Sequence, residues 1–367
     1  MNRQISLDIF RGITLAAMLL VNNPGSWSHV YAPFLHASWH GLTPTDLIFP
    51  FFLFIVGAAM YYSMARFALG AGRHKALTIP WGKIAKRTAL LFLIGFVLNI
   101  YPFNQPVENW RIMGVLQRIA LCYGVAALLV CVLNTRQLVY CCVALLLGYW
   151  ALLNVVNLPY SLNGNVVRLV DIQLFGASHL YQGFGVAFDP EGLLSCLPAV
   201  VSVLAGYLSS AFLNHTKQHK VQYRSLLFYG LCALILAGLW HVLLPVNKAL
   251  WTSSYVLATT GFAWLTLAAI IYCYEIKRWR KGLNWAEVYG SNPLFIYVLA
   301  WIFAASLPLL GWTNSAGQTV NLHSLAYQWL SALMPEKLAS LVFALGFVGL
   351  FYLLSLLLYK RKIFIKL

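Results

Sequence analysis

Charge is what this sequence has least of. Only 9% of its 367 residues are Asp, Glu, Lys or Arg, and the acids number 9. A soluble domain carries about 25% charged residues, so this chain has too little polar surface to clothe a water-soluble core. Other absences narrow the field further. Cys122, Cys131, Cys141, Cys142, Cys196, Cys232 and Cys273 fall in or beside apolar runs and form no CxxC pair, which argues against a disulfide framework and a thiolate metal centre. No Gly-rich phosphate loop, Walker motif or GxSxG elbow is present, which sets aside ATP-driven transport and a nucleophile-elbow hydrolase. The start, MNRQISLDIFRG, is basic but leads to no small-residue cleavage site, so the first apolar segment is expected to be a retained span rather than a cleaved signal peptide. There is no internal repeat and no low-complexity linker, and residues 1–367 read as one transmembrane domain.

What the chain has in abundance is apolar sequence, 61% of residues with a mean hydropathy of +0.74. The fold class this predicts is all-α, a polytopic integral membrane protein. Stretches near the roughly 20 residues needed to cross a bilayer occur at 5–22, 46–66, 88–103, 113–133, 139–156, 193–213, 225–244, 251–274, 288–310 and 338–359. About ten spans with both termini cytoplasmic put 19 of the 25 basic residues on one side: Arg3, Arg66, Arg73, Lys75, Lys83, Lys86, Arg87, Arg136, Lys217, Lys220, Arg224, Lys277, Arg278, Arg280, Lys281, Lys360, Arg361, Lys362 and Lys366. The formal charge of +16 is therefore a topology signal obeying the positive-inside rule, and no nucleic-acid partner is expected. The other side keeps Arg111, Arg168, Lys248 and Lys337 and collects Glu108, Asp171, Asp189, Glu191 and Glu336.

The long connections 23–45, 157–192 and 311–337 lie on that outer side, where sites concentrate. In the first, His36 and Asp46 have the makings of a general-base couple, because a carboxylate fixes the imidazole tautomer and stabilises the imidazolium. The competing reading is an interfacial aromatic belt, with Asp46 capping the second helix through the segment from Thr43 to Asp46. His29, His36 and His40 are spaced by seven and four with no matching carboxylate motif, so no metal is expected. Arg118 falls inside the fourth apolar stretch, roughly 7 Å below its outer edge at 1.5 Å per residue, where a charge is either functional or paired. Glu108, Asp46 and Asp189 are the acids within reach of it from the same side. Asp8 and Arg11, three apart, are positioned to pair on one helix face. In FDPEGLL, Asp189 and Glu191 either cap a helix or hold a cationic or polyhydroxylated ligand. The hairpin PVNKALWTSSYVL brings Asn247, Lys248, Trp251 and Ser254 to the same level, facing neighbouring helices or a substrate. Ser291, Asn292 and Pro293 interrupt the ninth span, and a broken helix in a membrane borders a cavity.

The runs SLDIFRGITLAAMLLVNN, LHASWHGLTPTDLIFPFFLFIVG, RIMGVLQRIALCY, FDPEGLL and PVNKALWTSSYVL together resemble the heparan-α-glucosaminide N-acetyltransferase family, including bacterial relatives linked to N-acetylglucosamine utilisation. The resemblance implies a transmembrane acyltransferase moving acetyl from cytoplasmic acetyl-CoA to the amine of a glucosamine-type saccharide beyond the membrane. It makes His36 the active-site histidine, with Asn22 and Asp46 beside it, and matches Arg118 to the Arg of G-V-L-Q-R. It also implies a homodimer in a lipid bilayer, here a bacterial inner membrane. The chain departs from the animal enzyme in His40, which replaces an Asn, and is expected to lack the animal protein's amino-terminal luminal domain. Catalytic roles thus fall to His36, Asp46 and Asn22, and substrate contacts to Arg118, Asp189, Glu191, Asn247, Lys248, Trp251 and Ser254. The second reading is a sugar permease that performs no acyl transfer, since ten helices around an outer polar pocket serve either purpose.

Overall fold

A computed structural model describes residues 5–69, 79–313 and 319–365. Arg3, Arg73, Lys75 and Lys366 lie outside the described residues. The architecture is all-α, and each apolar stretch lies on a helix: α1 (Ile5–Asn22), α2 (Ile48–Ser63), α3 (Trp81–Ile100), α4 (Val115–Val132), α5 (Thr135–Leu153), then α6 (Val166–Phe175) in an outer connection, α7 (Cys196–His215), α8 (His219–His241), α9 (Ser253–Ile271), α10 (Asn284–Tyr289), α11 (Pro293–Ser306), α12 (Leu322–Ser331) and α13 (Glu336–Lys360). Eight helices among the described residues are long and apolar enough to cross a membrane. This is an integral membrane protein. The third stretch is carried by α3, which is long enough but opens with Lys83, Lys86 and Arg87. The ninth is divided between α10 and α11, as the polar break at Ser291–Pro293 predicted.

Helix polarity decides where things meet. Helices α2, α4, α7 and α9 all start at the end of the bundle where α1 finishes, and their C-terminal ends carry Arg66, Arg136, Lys217 and Lys277 in turn. Those four cations and the candidate site residues therefore occupy opposite ends. Helix α2 packs on α7 with glycines where the two backbones come closest. A Cβ on Gly57 would stand 1.7 Å from the Val203 carbonyl oxygen, and one on Gly206 would stand 1.8 Å from that of Phe54. Without a hydrophobic drive between helices in lipid, such small-residue contacts supply the packing energy. Helices α1 and α10 meet the same way, at Gly12 against the Ala286 carbonyl and Gly290 against that of Asp8. The outer helices α5, α8 and α13 turn apolar side chains such as Val143, Ile235, Leu239 and Leu353 outward, the face a bilayer solvates.

One expectation changes here and one holds. At the break before α11 Asn292 is engaged by the chain itself: its Nδ2 donates to the Ile363 carbonyl (2.9 Å) and its Oδ1 accepts from the Ile365 amide (2.7 Å). It docks the C-terminal tail. The Asp8–Arg11 pair forms at 2.9 Å, and Arg11 also reaches the Gly290 carbonyl at 3.3 Å.

Replacing Gly57 with Leu drives a side chain into backbone that cannot yield, so we expect at least about 2 kcal/mol of destabilisation. Gly148→Ala, which meets nothing within 4 Å, serves as the matched control. Thermal unfolding in detergent, followed by loss of the monodisperse species, distinguishes the two.

Candidate active site

The entry to α2 is built by one carboxylate. Asp46 Oδ2 accepts from the Thr43 amide (3.0 Å), the Thr43 hydroxyl (3.0 Å) and the Ala37 amide (3.1 Å), closing a 3₁₀ turn over Pro44–Leu47. Its other oxygen, Oδ1, lies 2.6 Å from His36 Nδ1. The capping reading and the histidine-partner reading are both correct, one for each oxygen. Asp46 is 1% exposed and its imidazole partner 49%, so the carboxylate is fixed while the ring opens toward solvent. An ionised carboxylate only accepts hydrogen bonds. Nδ1 of His36 must therefore carry a proton, and in the neutral ring Nε2 keeps its lone pair.

The hairpin between α8 and α9 closes over this couple. The Gly41 amide donates to the Val246 carbonyl (2.8 Å), and the Tyr255 hydroxyl donates to the Asp46 carbonyl (2.6 Å). Lys248 Nζ then stands 3.0 and 3.2 Å from the two ring nitrogens of His36 and 3.6 Å from Asp46 Oδ1. Burial pulls the Lys248 ammonium below its ordinary pKa and Arg118 adds to this, while Asp46 and Glu191 pull it back up. Asn247 is wholly buried and serves the hairpin itself: Oδ1 accepts from the Leu250 amide (2.8 Å), and Nδ2 lies 3.3 Å from His40 Nδ1. Ser254, also wholly buried, meets the Thr252 hydroxyl at 3.2 Å. These two side chains support the hairpin. Trp251 accepts a left-handed backbone, φ 52°, an uncommon conformation for a bulky residue. It wedges its ring against Phe49 and Tyr255.

That ring is the floor beneath Arg118. The guanidinium carbon sits 4.8 Å from the Trp251 ring centre, and Nη2 donates to the Ser195 hydroxyl and to the Gly192 carbonyl (3.1 Å). Among the described residues no carboxylate pairs with Arg118, so of its two readings the ion pair with Glu108, Asp46 or Asp189 is the one not made. Its Nε and Nη1, and Trp251 Nε1, are buried with no hydrogen-bond partner. An arginine with spare buried donors is a group awaiting an acceptor.

Asp189 and Glu191 are spoken for elsewhere. Arg111 grips Asp189 with two bonds of 2.8 Å and Glu191 with one of 2.6 Å, over the Tyr181 ring. Asp189, wholly buried, therefore does not face a ligand, and Glu191 is the one of the two with residual exposure (12%). Burial alone would lower the Arg111 pKa, but its bonds and proximity to Asp189 and Glu191 raise it overall. Sequence reasoning counted Arg111 only among the outer cations. The signal was present, since a basic residue on the acid-rich side is itself an exception. Asp171, behind this group, accepts from the Leu193 amide at 3.0 Å, and burial pushes its carboxyl up to about 7. Asn22 ends α1 with an exposed side chain and makes no hydrogen bond to the His36 couple.

Against known proteins, residues 3–238 match a family model described as heparan-alpha-glucosaminide N-acetyltransferase, catalytic. The Homo sapiens protein named heparan-alpha-glucosaminide N-acetyltransferase is 28% identical over 419 aligned residues, covering 98% of this chain and 59% of its own length. The Mus musculus protein of that name is 27% identical, covering 100% of this chain and 60% of its own. An Escherichia coli K12 protein named uncharacterized protein YeiB is 31% identical over 100 residues, 26% of this chain and 25% of its own. The chain thus spans about three-fifths of the length of the two mammalian relatives.

Arg111→Met strands the buried Asp189 carboxylate, and removing one partner of such a pair costs about 3 kcal/mol. We expect a lowered midpoint in thermal unfolding at neutral pH, with much of the loss recovered when Asp189→Asn is added. An additive double mutant would mean that the two groups do not act as a pair.

Proposed function

Since the chain belongs to the heparan-α-glucosaminide N-acetyltransferase family, we propose that it is a membrane-embedded enzyme moving acetyl from acetyl-CoA to the amine of a glucosamine-type sugar, with His36 as base. The observation that carries this reading is the 2.6 Å contact between His36 Nδ1 and Asp46 Oδ1. An ammonium has no lone pair, so the sugar nitrogen must lose a proton before it attacks a thioester. That first proton goes to solvent, and Nε2 of His36, half exposed, takes the second, which the nitrogen sheds as the C–N bond forms. Asp46 holds the ring and stabilises the imidazolium that results. Negative charge then develops on the thioester oxygen, and donors that stay unpaired until that moment stabilise it most. Nε and Nη1 of Arg118 are such donors. Asn22 is the second candidate for that oxygen. The collapse expels the CoA thiolate, which takes the proton back from the imidazolium. In a two-step variant the same Nε2 is the nucleophile and carries the acetyl group transiently as acetyl-His36.

The distribution of charge supports a sidedness. The cationic end suits the phosphates of CoA on the cytoplasmic side, and the acid-bearing end suits an amine acceptor in the periplasm of a bacterial inner membrane. Of the two acids that Arg111 holds, Glu191 is the one with residual exposure to meet the sugar's ammonium. A permease shares the helices and the pocket, but it has no use for a histidine held in one tautomer by a buried carboxylate.

Purified protein given acetyl-CoA and glucosamine should release thiol and form N-acetylglucosamine. In His36→Ala the rate should fall by about 100-fold or more, the share a positioned base supplies, and Asp46→Asn should lose a comparable amount through the wrong tautomer. Thiol release in His36→Ala equal to that of the unaltered protein would overturn the reading.

A further inference from the structure

A transferase of this kind needs a seat beside its base for the acceptor nitrogen. In this protein a primary amine already occupies it. Lys248 Nζ lies 3.2 Å from His36 Nε2 and 3.0 Å from Nδ1. Near-equal reach to both nitrogens places Nζ over the imidazole face, and because Nδ1 is committed to Asp46 at 2.6 Å, Nε2 is the ring nitrogen left to take its proton. The amine is also held there. Its backbone sits in a hairpin locked by the Asn247 amide on the Thr252 hydroxyl (3.0 Å) and by the Leu250 amide on Asn247 Oδ1 (2.8 Å). The side chain is only one-fifth exposed, whereas an ordinary surface lysine swings freely in water.

The surroundings weaken its charge as well. Burial and the nearby Arg118 both favour the neutral amine, opposed by Asp46 and Glu191, and a desolvated lysine that gives up its proton readily is a nucleophile. A primary amine, a base in contact with it and a partly desolvated setting are the three conditions the sugar must also satisfy.

On the acetyltransferase reading above, we propose that Lys248 is a self-acetylation site: with acetyl-CoA bound and no sugar in the seat, Nζ takes the acetyl group itself. Lys248 first releases its ammonium proton to solvent. Neutral Nζ then attacks the thioester carbonyl, a C–N bond forms and the C–S bond breaks. His36 Nε2 accepts the proton that Nζ sheds and passes it to the departing thiolate. The balance is lysine ammonium plus acetyl-CoA giving acetyl-lysine, CoA thiol and one proton, with no change of oxidation state. The product is a neutral amide that fills the seat and removes the cation from beside His36 and Asp46. An enzyme supplied with donor but starved of acceptor thereby closes its own site, and bound sugar protects it.

The test incubates the purified full chain with acetyl-CoA alone and follows intact mass and the peptides bearing each lysine. The expected result is a gain of one acetyl group, mapped to Lys248, accumulating with time and suppressed by glucosamine. It should slow by about 100-fold or more in His36→Ala, as the loss of a positioned base requires, and be absent in Lys248→Arg, whose guanidinium keeps a charge but does not take acetyl under these conditions. A preparation that acetylates glucosamine yet leaves Lys248 unmodified overturns the inference and leaves the enzyme reading intact. Label spread evenly over the lysines and indifferent to His36 also overturns it, as acetylation by simple mass action. Thiol release in neither the presence nor the absence of sugar overturns the acetyltransferase reading and this inference together.

Discussion

The Asp46 carboxylate is the group on which the outer end of the molecule depends. A charge that is 1% exposed is tolerable only when its lone pairs are used. One oxygen spends them on the turn that starts α2, and the other on His36. The structural and chemical tasks are therefore not separable. The energy that orders residues 36–47 is the same energy that fixes the imidazole, and the helix behind the carboxylate sets where the ring can stand. The Tyr255 bond to the Asp46 carbonyl ties this arrangement to α9, and through α9 to the hairpin that carries Lys248.

Two arginines at the same end show how burial assigns different work to one residue type. Arg111 meets two carboxylates in a fork and neutralises them. Its charge is consumed in making the outer connection a fixed wall. Arg118, one helical turn into α4, meets a carbonyl, a hydroxyl and an indole face instead. None of these cancels its charge, and two of its nitrogens are left with buried hydrogens and no partner. The wall holds the acids away from Arg118, and that separation is what leaves the second arginine available.

The helices were legible because crossing a bilayer demands a length of apolar sequence that little else produces; every stretch marked on hydropathy alone lies on a helix. What hydropathy could not mark were α6 and α12, which are short and lie in connections where no such demand acts. The His36–Asp46 couple was legible from T-P-T-D, since a capping carboxylate and a histidine ten residues upstream are brought together by the turn that the cap closes. The partner of Arg118 was not. Its acceptors come from the start of α7, 74 and 77 residues away, and their position depends on helix packing that sequence spacing does not encode. For the same reason Asp189 reads as a ligand in FDPEGLL and proves to be the buried mate of Arg111. Asn22 reads as a neighbour of His36 and ends α1 with an exposed side chain that makes no hydrogen bond to it.

The contact between α2 and α7 bears on how such a molecule can do its work. Each helix presses a glycine against the other's backbone, Gly57 on Val203 and Gly206 on Phe54. One of these helices carries the anchor of His36, and the other begins at the groups that receive Arg118. Backbones in direct contact at these points hold the two sides of the site together as one frame.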